Sequence, residues 1–365
     1  MSSPPLYFLS VPIYGILNNM LKSTRSVLVA IFFIFPIYIM IQLFVPVYDS
    51  PTAIEVEIPQ GATYKNAVDI LAANKLIRDK FVFIALGKIS GVDRKMRAGY
   101  YNFWSRISPF DVFQQLRKGK IIEYEITIVE GDSLREIADK LREKKFASAD
   151  AFDAIAKDPE LLSSLDIDAP SIEGYLFPET YKLPKGAQLA DIIKLMVGKL
   201  RASYTNEMKM AMAQSGWSEN EILTLASIIE KEAETDEERP VISAVYKNRL
   251  RMGMPLQADP TAIYGIKSSK VKILSSDLRN RTPYNTYFIK GLPPGPIASP
   301  GLKSIEAALH PAKVPYVYFV SRGDGSHIFT TSYAEHNEAI RQVRTSSEPA
   351  ANMREIIHHD QAQTN

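Results

Sequence analysis

From Val27 to Val45 the chain reads VLVAIFFIFPIYIMIQLFV, nineteen residues with one strongly polar member, Gln42. At a rise of roughly 1.5 Å per residue this run nearly crosses a hydrocarbon core of about 30 Å. A transmembrane helix over residues 27–45 is therefore predicted, and Pro36 within it is a break that membrane helices tolerate. Lys22 and Arg25 precede the run, whereas Asp49, Glu55 and Glu57 follow it. By the positive-inside rule, residues 1–26 are expected in the cytoplasm and everything after Tyr48 outside it. The alternatives are a buried core helix and a cleaved signal peptide, the latter without a clear A-x-A site. Residues 1–19 are apolar but proline-interrupted and too short for a second span, and Met20 reads as an alternative start.

After a short linker at 49–53, the alternation changes period and then repeats. Glu55-Val-Glu-Ile-Pro-Gln-Gly61 matches Glu125-Ile-Thr-Ile-Val-Glu-Gly131 at an offset of 70 residues. The apolar alternation before each glycine predicts a strand. Thr63 and Ser133 stand where a helix N-cap belongs. Val68 with Leu71, and Ile137 with Leu141, then follow at helical spacing. Each copy is thus expected to be a strand, a glycine turn and a helix. This shape resembles the LysM module, a small glycan-binding fold; a packing scaffold with no ligand is the competing reading. Between the copies, Ala98-Gly-Tyr-Tyr-Asn-Phe-Trp104 predicts a strand whose aromatics are expected to pack in a core, with stacking on sugar rings as the alternative.

Helical periodicity continues over 150–169, 191–212 and 218–234, and the main domain boundary is expected at Ala169-Pro170. Beyond Arg344 no apolar period remains, which predicts a disordered tail. The expected organisation is a cytoplasmic segment (1–26), a span (27–45), a duplicated LysM-like region (54–168), a catalytic domain (169–345) and a tail (346–365). The fold class is α+β.

Composition narrows the chemistry. The 365 residues carry 43 basic and 41 acidic side chains, without the basic footprint of a nucleic-acid binder. There is no cysteine, so disulfides, thiolate metal sites and cysteine nucleophiles are excluded. Five histidines without tight ligand spacing predict no metal, and no cofactor is expected. No G-x-S-x-G elbow is present.

Acids and aromatics concentrate between Ser171 and Asn337. Ser171-Ile-Glu-Gly-Tyr-Leu-Phe-Pro-Glu-Thr-Tyr181 holds Glu173 and Glu179 among three aromatics. The helix opened by Ser218, with Glu221 at the capping-box position, carries Glu230 and Glu232 near its end. Two residues apart, these acids lie about 200° apart around the helix, so only one can face a given cleft. Proline-rich Gly291-Leu-Pro-Pro-Gly-Pro-Ile-Ala-Ser-Pro-Gly301 suits a stiff cleft wall.

Together with Ala226-Ser-Ile-Ile-Glu-Lys-Glu232, Tyr246-Lys-Asn-Arg-Leu250, Leu256-Gln-Ala-Asp-Pro-Thr261, Tyr284-Asn-Thr-Tyr287, Tyr316-Val-Tyr-Phe-Val320 and Glu335-His-Asn337, these runs resemble the YceG-like (MltG-type) endolytic murein transglycosylases. The resemblance extends over about 28–343. It implies a lytic transglycosylase of peptidoglycan in the cytoplasmic (inner) membrane, its catalytic domain periplasmic. Peptidoglycan synthases are candidate partners. One Glu protonates the glycosidic oxygen and then, as carboxylate, assists the muramyl 6-hydroxyl in closing a 1,6-anhydro ring. The resemblance of Ile-Glu-Lys-Glu-Ala to the Ile-x-x-Glu-Ser run of soluble lytic transglycosylases places that acid at Glu232, with Glu230 as fallback. Glu173, Gln257, Asp259, Tyr284, Asn285 and Tyr287 are expected to line one substrate groove with it. A non-catalytic glycan-binding scaffold is the principal alternative, and a protease or amidase of wall peptides a weaker one.

Overall fold

The computed structural model describes residues 13–47, 52–104, 106–266 and 273–347. Most of the expected tail and the first twelve residues lie outside these. The chain is mixed α+β and divides into two compact units, one running to Glu123 and including Pro184–Gly186, the other formed by 124–183 and the remainder from Ala187.

Unit 1 opens with helix α1 (Ile13–Phe44), continuous through Pro36. Its apolar stretch Ser26–Phe44 is long enough to cross a membrane and has almost none of its surface buried, unlike a core helix. Strand β1 (Ile54–Ile58), helices α2 (Tyr64–Ala73) and α3 (Lys80–Ser90), strand β2 (Gly99–Phe103) and helix α4 (Pro109–Lys118) follow. The two strands pair antiparallel, from Ile54 opposite Phe103 to Ile58 opposite Gly99. Val56, Val68, Leu71, Phe83, Tyr101, Phe103 and Leu116 close one core. The aromatics of β2 split accordingly: Tyr101 and Phe103 are buried, while Trp104 just beyond them is exposed.

Unit 2 begins with β3 (Glu123–Thr127), whose first residue is the boundary, and α5 (Leu134–Glu143). This segment reproduces β1–α2 part by part. Gly61 and Gly131 both take positive φ, +76° and +80°. Thr63 accepts the Asn66 N–H, and Ser133 forms a reciprocal capping box with Glu136. Both helices end with a lysine at positive φ, Lys75 and Lys145. The next amide bonds back to the helix, Leu76 N–H to the Leu71 carbonyl at 2.9 Å and Phe146 N–H to that of Leu141 at 3.0 Å, the closure of a Schellman motif. The buried positions also correspond: Ala67, Val68 and Leu71 against Ile137, Ala138 and Leu141.

Helices α6 (Ala149–Ile155) and α7 (Pro159–Ser164) come next, then strand β4 (Thr180–Pro184), which pairs with β3. Helices α8 (Leu189–Ser203), α9 (Asn206–Ser215), α10 (Glu219–Glu232), α11 (Arg239–Arg251), α12 (Asp259–Ile263) and α13 (Leu302–Leu309) follow, then β5 (Tyr318–Ser321), β6 (His327–Thr330) and α14 (Tyr333–Ser347).

The division between these compact units falls at Glu123. The reason is burial: Ile126, Leu134, Ile137 and Leu141 share one core with Ile192, Met196, Leu225, Ile229 and Ile305, so the second strand–helix segment belongs to the larger unit. The single helix expected over 191–212 is two, because Thr205 accepts the Met208 N–H and starts a new helix. The stretch 150–169 is likewise broken, by Asp158 capping α7.

Candidate active site

The two acids at the end of α10 have different surroundings. Ser218 and Glu221 form the capping box that starts this helix, and residues 222–229 are buried. Glu230 leaves on one side and accepts the Gly301 N–H at 2.9 Å and the Ser304 hydroxyl at 2.8 Å. Its carboxylate pairs with Arg239 at 3.2 Å, both side chains being largely buried. Gly301 is the N-cap of α13, so Glu230 supplies an acceptor and a negative charge where that helix needs both. All three of these contacts are made by Oε2.

Glu232 leaves on the opposite side, into a cleft of about 300 Å³ lined by Tyr246, Arg249, Gln257, Asp259, Phe319 and His336 among others. The Tyr246 hydroxyl donates to Glu232 Oε1 at 3.1 Å. Burial and then the negative charge of Asp259 push the Glu232 carboxyl up to about 7, while the Tyr246 hydrogen bond and Arg249 pull the other way. Asp259 is held in turn by the Tyr287 hydroxyl, which donates to Oδ1 at 2.6 Å.

Arg249 is fixed over the Tyr318 ring at 5.1 Å. It donates from Nε to the Val317 carbonyl at 2.6 Å and from Nη1 to that of Leu256 at 2.7 Å. Asn248 beside it donates to the carbonyls of Val314 and Tyr316. Thus the Tyr-Lys-Asn-Arg run of α11 holds the catalytic candidate, the strand β5 approach and the Gln257 loop at once. On the cleft's far wall His327 pairs with Glu238, Nδ1 to Oε2 at 2.6 Å. His336 stacks on Tyr318, and burial followed by Arg249 holds its pKa below the ordinary value.

Of the residues expected to share a groove, Gln257, Asp259 and Tyr287 line the Glu232 cleft. Gln257 has a positive φ of +52° and donates its N–H to the Thr286 carbonyl at 3.2 Å. Thr286 also binds the Ala258 N–H and the Thr261 hydroxyl, which joins the two loops.

The other three lie elsewhere. Glu173 is fully buried at a second cleft of about 680 Å³, lined also by Leu134, Lys231, Pro260 and Tyr264. Its carboxylate accepts the Leu134 N–H at 3.1 Å and the Tyr264 hydroxyl at 2.8 Å, and burial pushes it up to about 7. Tyr284 packs on Tyr264, ring centroids 4.5 Å apart, and so belongs to the Glu173 side. Asn285 is buried and lines neither cleft. Its amide donates to the carbonyls of Leu278 and Asn280, and its Oδ1 accepts the Tyr287 N–H at 3.0 Å, so it shapes the turn that presents Tyr287. The expected single groove is therefore two adjacent clefts, which share Lys231-Glu232 and Asp259-Pro260 as a wall.

Tyr246, Arg249, Phe319, His327 and His336 were not singled out by the sequence reading. Their signal lay in the runs Tyr246–Leu250, Tyr316–Val320 and Glu335–Asn337, whose residues acquire roles only when α11, β5 and α14 meet.

The YceG-like family model matches residues 56–342. The chain is 35% identical over 314 residues to an endolytic murein transglycosylase of Bacillus subtilis, covering 82% of this chain and 87% of that one. It is 28% identical over 326 residues to the endolytic murein transglycosylase of Streptococcus pneumoniae, spanning 80% of this chain but 59% of that longer protein. A crystal structure of a YceG-like protein of Listeria monocytogenes is similar at 31% identity and a TM-score of 0.54, over 79% of this chain and 99% of that one. With that match over most of its length, and with both units included in it, this chain belongs to the YceG-like family.

Proposed function

We propose that this chain is a membrane-anchored lytic transglycosylase that cuts within peptidoglycan glycan strands, with Glu232 as acid and then base. The observation that carries the reading is the half-buried Glu232, its pKa raised to about 7 beside Asp259, in a polar cleft of a chain related to murein transglycosylases. An acid near neutrality can both give and take a proton at working pH.

The reaction follows from that one group. Protonated Glu232 gives its proton to the oxygen linking the muramyl C1 to the next sugar. That C1–O bond breaks, and the leaving sugar departs with a free 4-hydroxyl. Positive charge develops at C1, and the fixed carboxylate of Asp259 favours it electrostatically. The muramyl 6-hydroxyl closes on C1 and its proton passes to the Glu232 carboxylate. The product carries a 1,6-anhydro end, no water is consumed, and Glu232 is protonated again. Tyr246 holds Glu232 in place through its hydrogen bond.

In the same reading α1 anchors the chain with its N-terminus in the cytoplasm, and the two strand–turn–helix segments serve as LysM-like elements that hold glycan. Digestion of purified peptidoglycan tests the activity. Anhydro-muramyl ends from within strands are expected. Ordinary reducing ends would instead make the enzyme a hydrolase, with Asp259 the second carboxylate that such a reaction requires. Unchanged strands that still bind the protein would make it a scaffold.

A further inference from the structure

Unit 1 is tied to the apolar helix at a level below that helix's outer end. Arg78 donates to the carbonyls of Ile41, Val45 and Pro46, at 3.4, 2.7 and 2.9 Å. Ile41 lies in the last turn of α1, where its carbonyl also accepts the Val45 N–H at 3.3 Å, and Val45 and Pro46 follow the helix end directly, where carbonyls run out of partners within the helix. A guanidinium there satisfies them and sits at the negative end of the helix dipole. Asp79, the N-cap of α3, accepts the hydroxyl of Tyr38 as well as the N–H groups of Phe81 and Val82. The Phe44 ring lies 4.9 Å from that of Phe110 at the start of α4.

Tyr38 stands six residues before Phe44, about 9 Å lower along the helix axis. The Asp79 contact therefore carries the surface of unit 1 down beside the span by that distance. Next to this contact Phe81 is 86% exposed, and Trp104, between β2 and the Phe44 contact of α4, is 68% exposed. A singly exposed aromatic needs no explanation in water. Phe81 follows the Asp79 contact by two residues and Trp104 precedes the Phe110 contact by six, so both exposed aromatics belong to the segments that meet α1, and aromatic side chains settle at the boundary of headgroups and acyl chains.

We infer that Phe81 and Trp104 of unit 1 insert into the outer lipid surface around α1, so that the unit rides partly embedded in the bilayer rather than on a free tether. The Arg78 clamp and the Asp79–Tyr38 bond set its depth. The polar groups at that depth are compatible with it, because the guanidinium and the carboxylate are already hydrogen-bonded. The inference rests on α1 spanning a membrane, as proposed above.

The test uses the full chain reconstituted in phosphatidylcholine–phosphatidylglycerol vesicles, with or without acyl-brominated phosphatidylcholine. Trp104 and Trp217 are the two tryptophans of the chain, so single-tryptophan proteins are accessible. One keeps Trp104 with Trp217→Phe. The other carries Phe81→Trp with Trp104→Phe and Trp217→Phe. Both should lose emission in brominated vesicles and be shielded from aqueous iodide. In the second protein, Arg78→Ala should weaken the lipid quenching while the chain still floats with the vesicles. Protein that floats with vesicles but shows no lipid quenching and full iodide access would overturn the insertion and leave the anchor intact. Protein that does not float at all would overturn the anchor and the insertion together.

Discussion

The hydroxyl of Tyr246 on α11 donates to Oε1 of Glu232 on α10 at 3.1 Å, across fourteen residues of sequence. Two acids near the end of one helix thereby have different partners: Glu232 meets a neutral donor in the cleft, and Glu230 meets Arg239 and the start of α13.

Glu232→Gln should abolish most cleavage while the protein still folds. The amide keeps the size of the side chain but has no proton to give, and loss of acid–base help alone is worth about 10²–10⁴-fold. Strand cleavage and a thermal melt on the same preparation check both halves. A variant that cleaves normally would remove Glu232 from the chemistry.

Glu230→Gln should act on stability instead. It takes one of two carboxylates from the largely buried Arg239, leaving only Asp236 at 3.1 Å, a loss on the order of 1–3 kcal/mol for a hydrogen-bonded charge pair. Urea unfolding should show the lower midpoint, and cleavage per folded molecule should stay near that of the unmodified protein. A stable but inactive Glu230→Gln would reverse the two roles.

The rate should fall as pH rises through about 7, where Glu232 loses the proton it must donate. Asp259 raises that pKa by its charge, so Asp259→Asn should move the falling limb to lower pH. Tyr287→Phe, which frees Asp259 without removing its charge, should leave the limb closer to its original position. A pH–rate profile of kcat/KM for the three proteins decides this; an unmoved limb in Asp259→Asn would exclude the electrostatic coupling.

Glu173 links stability to pH. Its folded pKa of about 7 lies above the ordinary 4.5, so the folded state holds the proton more tightly than the unfolded one. This contribution is complete below about pH 4.5 and is lost as pH rises through 7, a difference on the order of 3 kcal/mol. Glu173→Gln should flatten that part of the stability profile, read as urea midpoints between mildly acidic and mildly alkaline buffers. Parallel profiles for variant and parent would show that Glu173 does not titrate in this range.

Gly174→Ala should destabilise unit 2. Gly174 has a φ of +81°, and a Cβ there would lie 2.4 Å from Pro296 Cβ. The left-handed backbone alone costs an L-residue roughly 1–2 kcal/mol, and the proline loop has to move besides. A melting temperature equal to the parent's would show that the loop yields freely.

Much of the local structure was legible in the sequence. The capping box of Ser218, the N-cap positions of Thr63 and Ser133, the glycine turns at Gly61 and Gly131 and the helical character of the apolar run in α1 are encoded by adjacent residues, and they form as read. The YceG-like motifs identified the family for the same reason, since each is a contiguous string. Helix geometry also required that Glu230 and Glu232 diverge.

Which of the two faced the cleft was settled by the docking of α13, whose N-cap amide, 71 residues later, donates to Glu230. Likewise Asn285 and Tyr287, neighbours in one short motif, separate into a buried brace and a cleft wall. Glu173 and Tyr284 fall on the far side of the wall made by Lys231-Glu232 and Asp259-Pro260. Periodicity and capping depend on interactions within a few residues, so the sequence states them directly. The assembly of a site depends on which surfaces of distant elements exclude water together, and only the packed tertiary structure decides that.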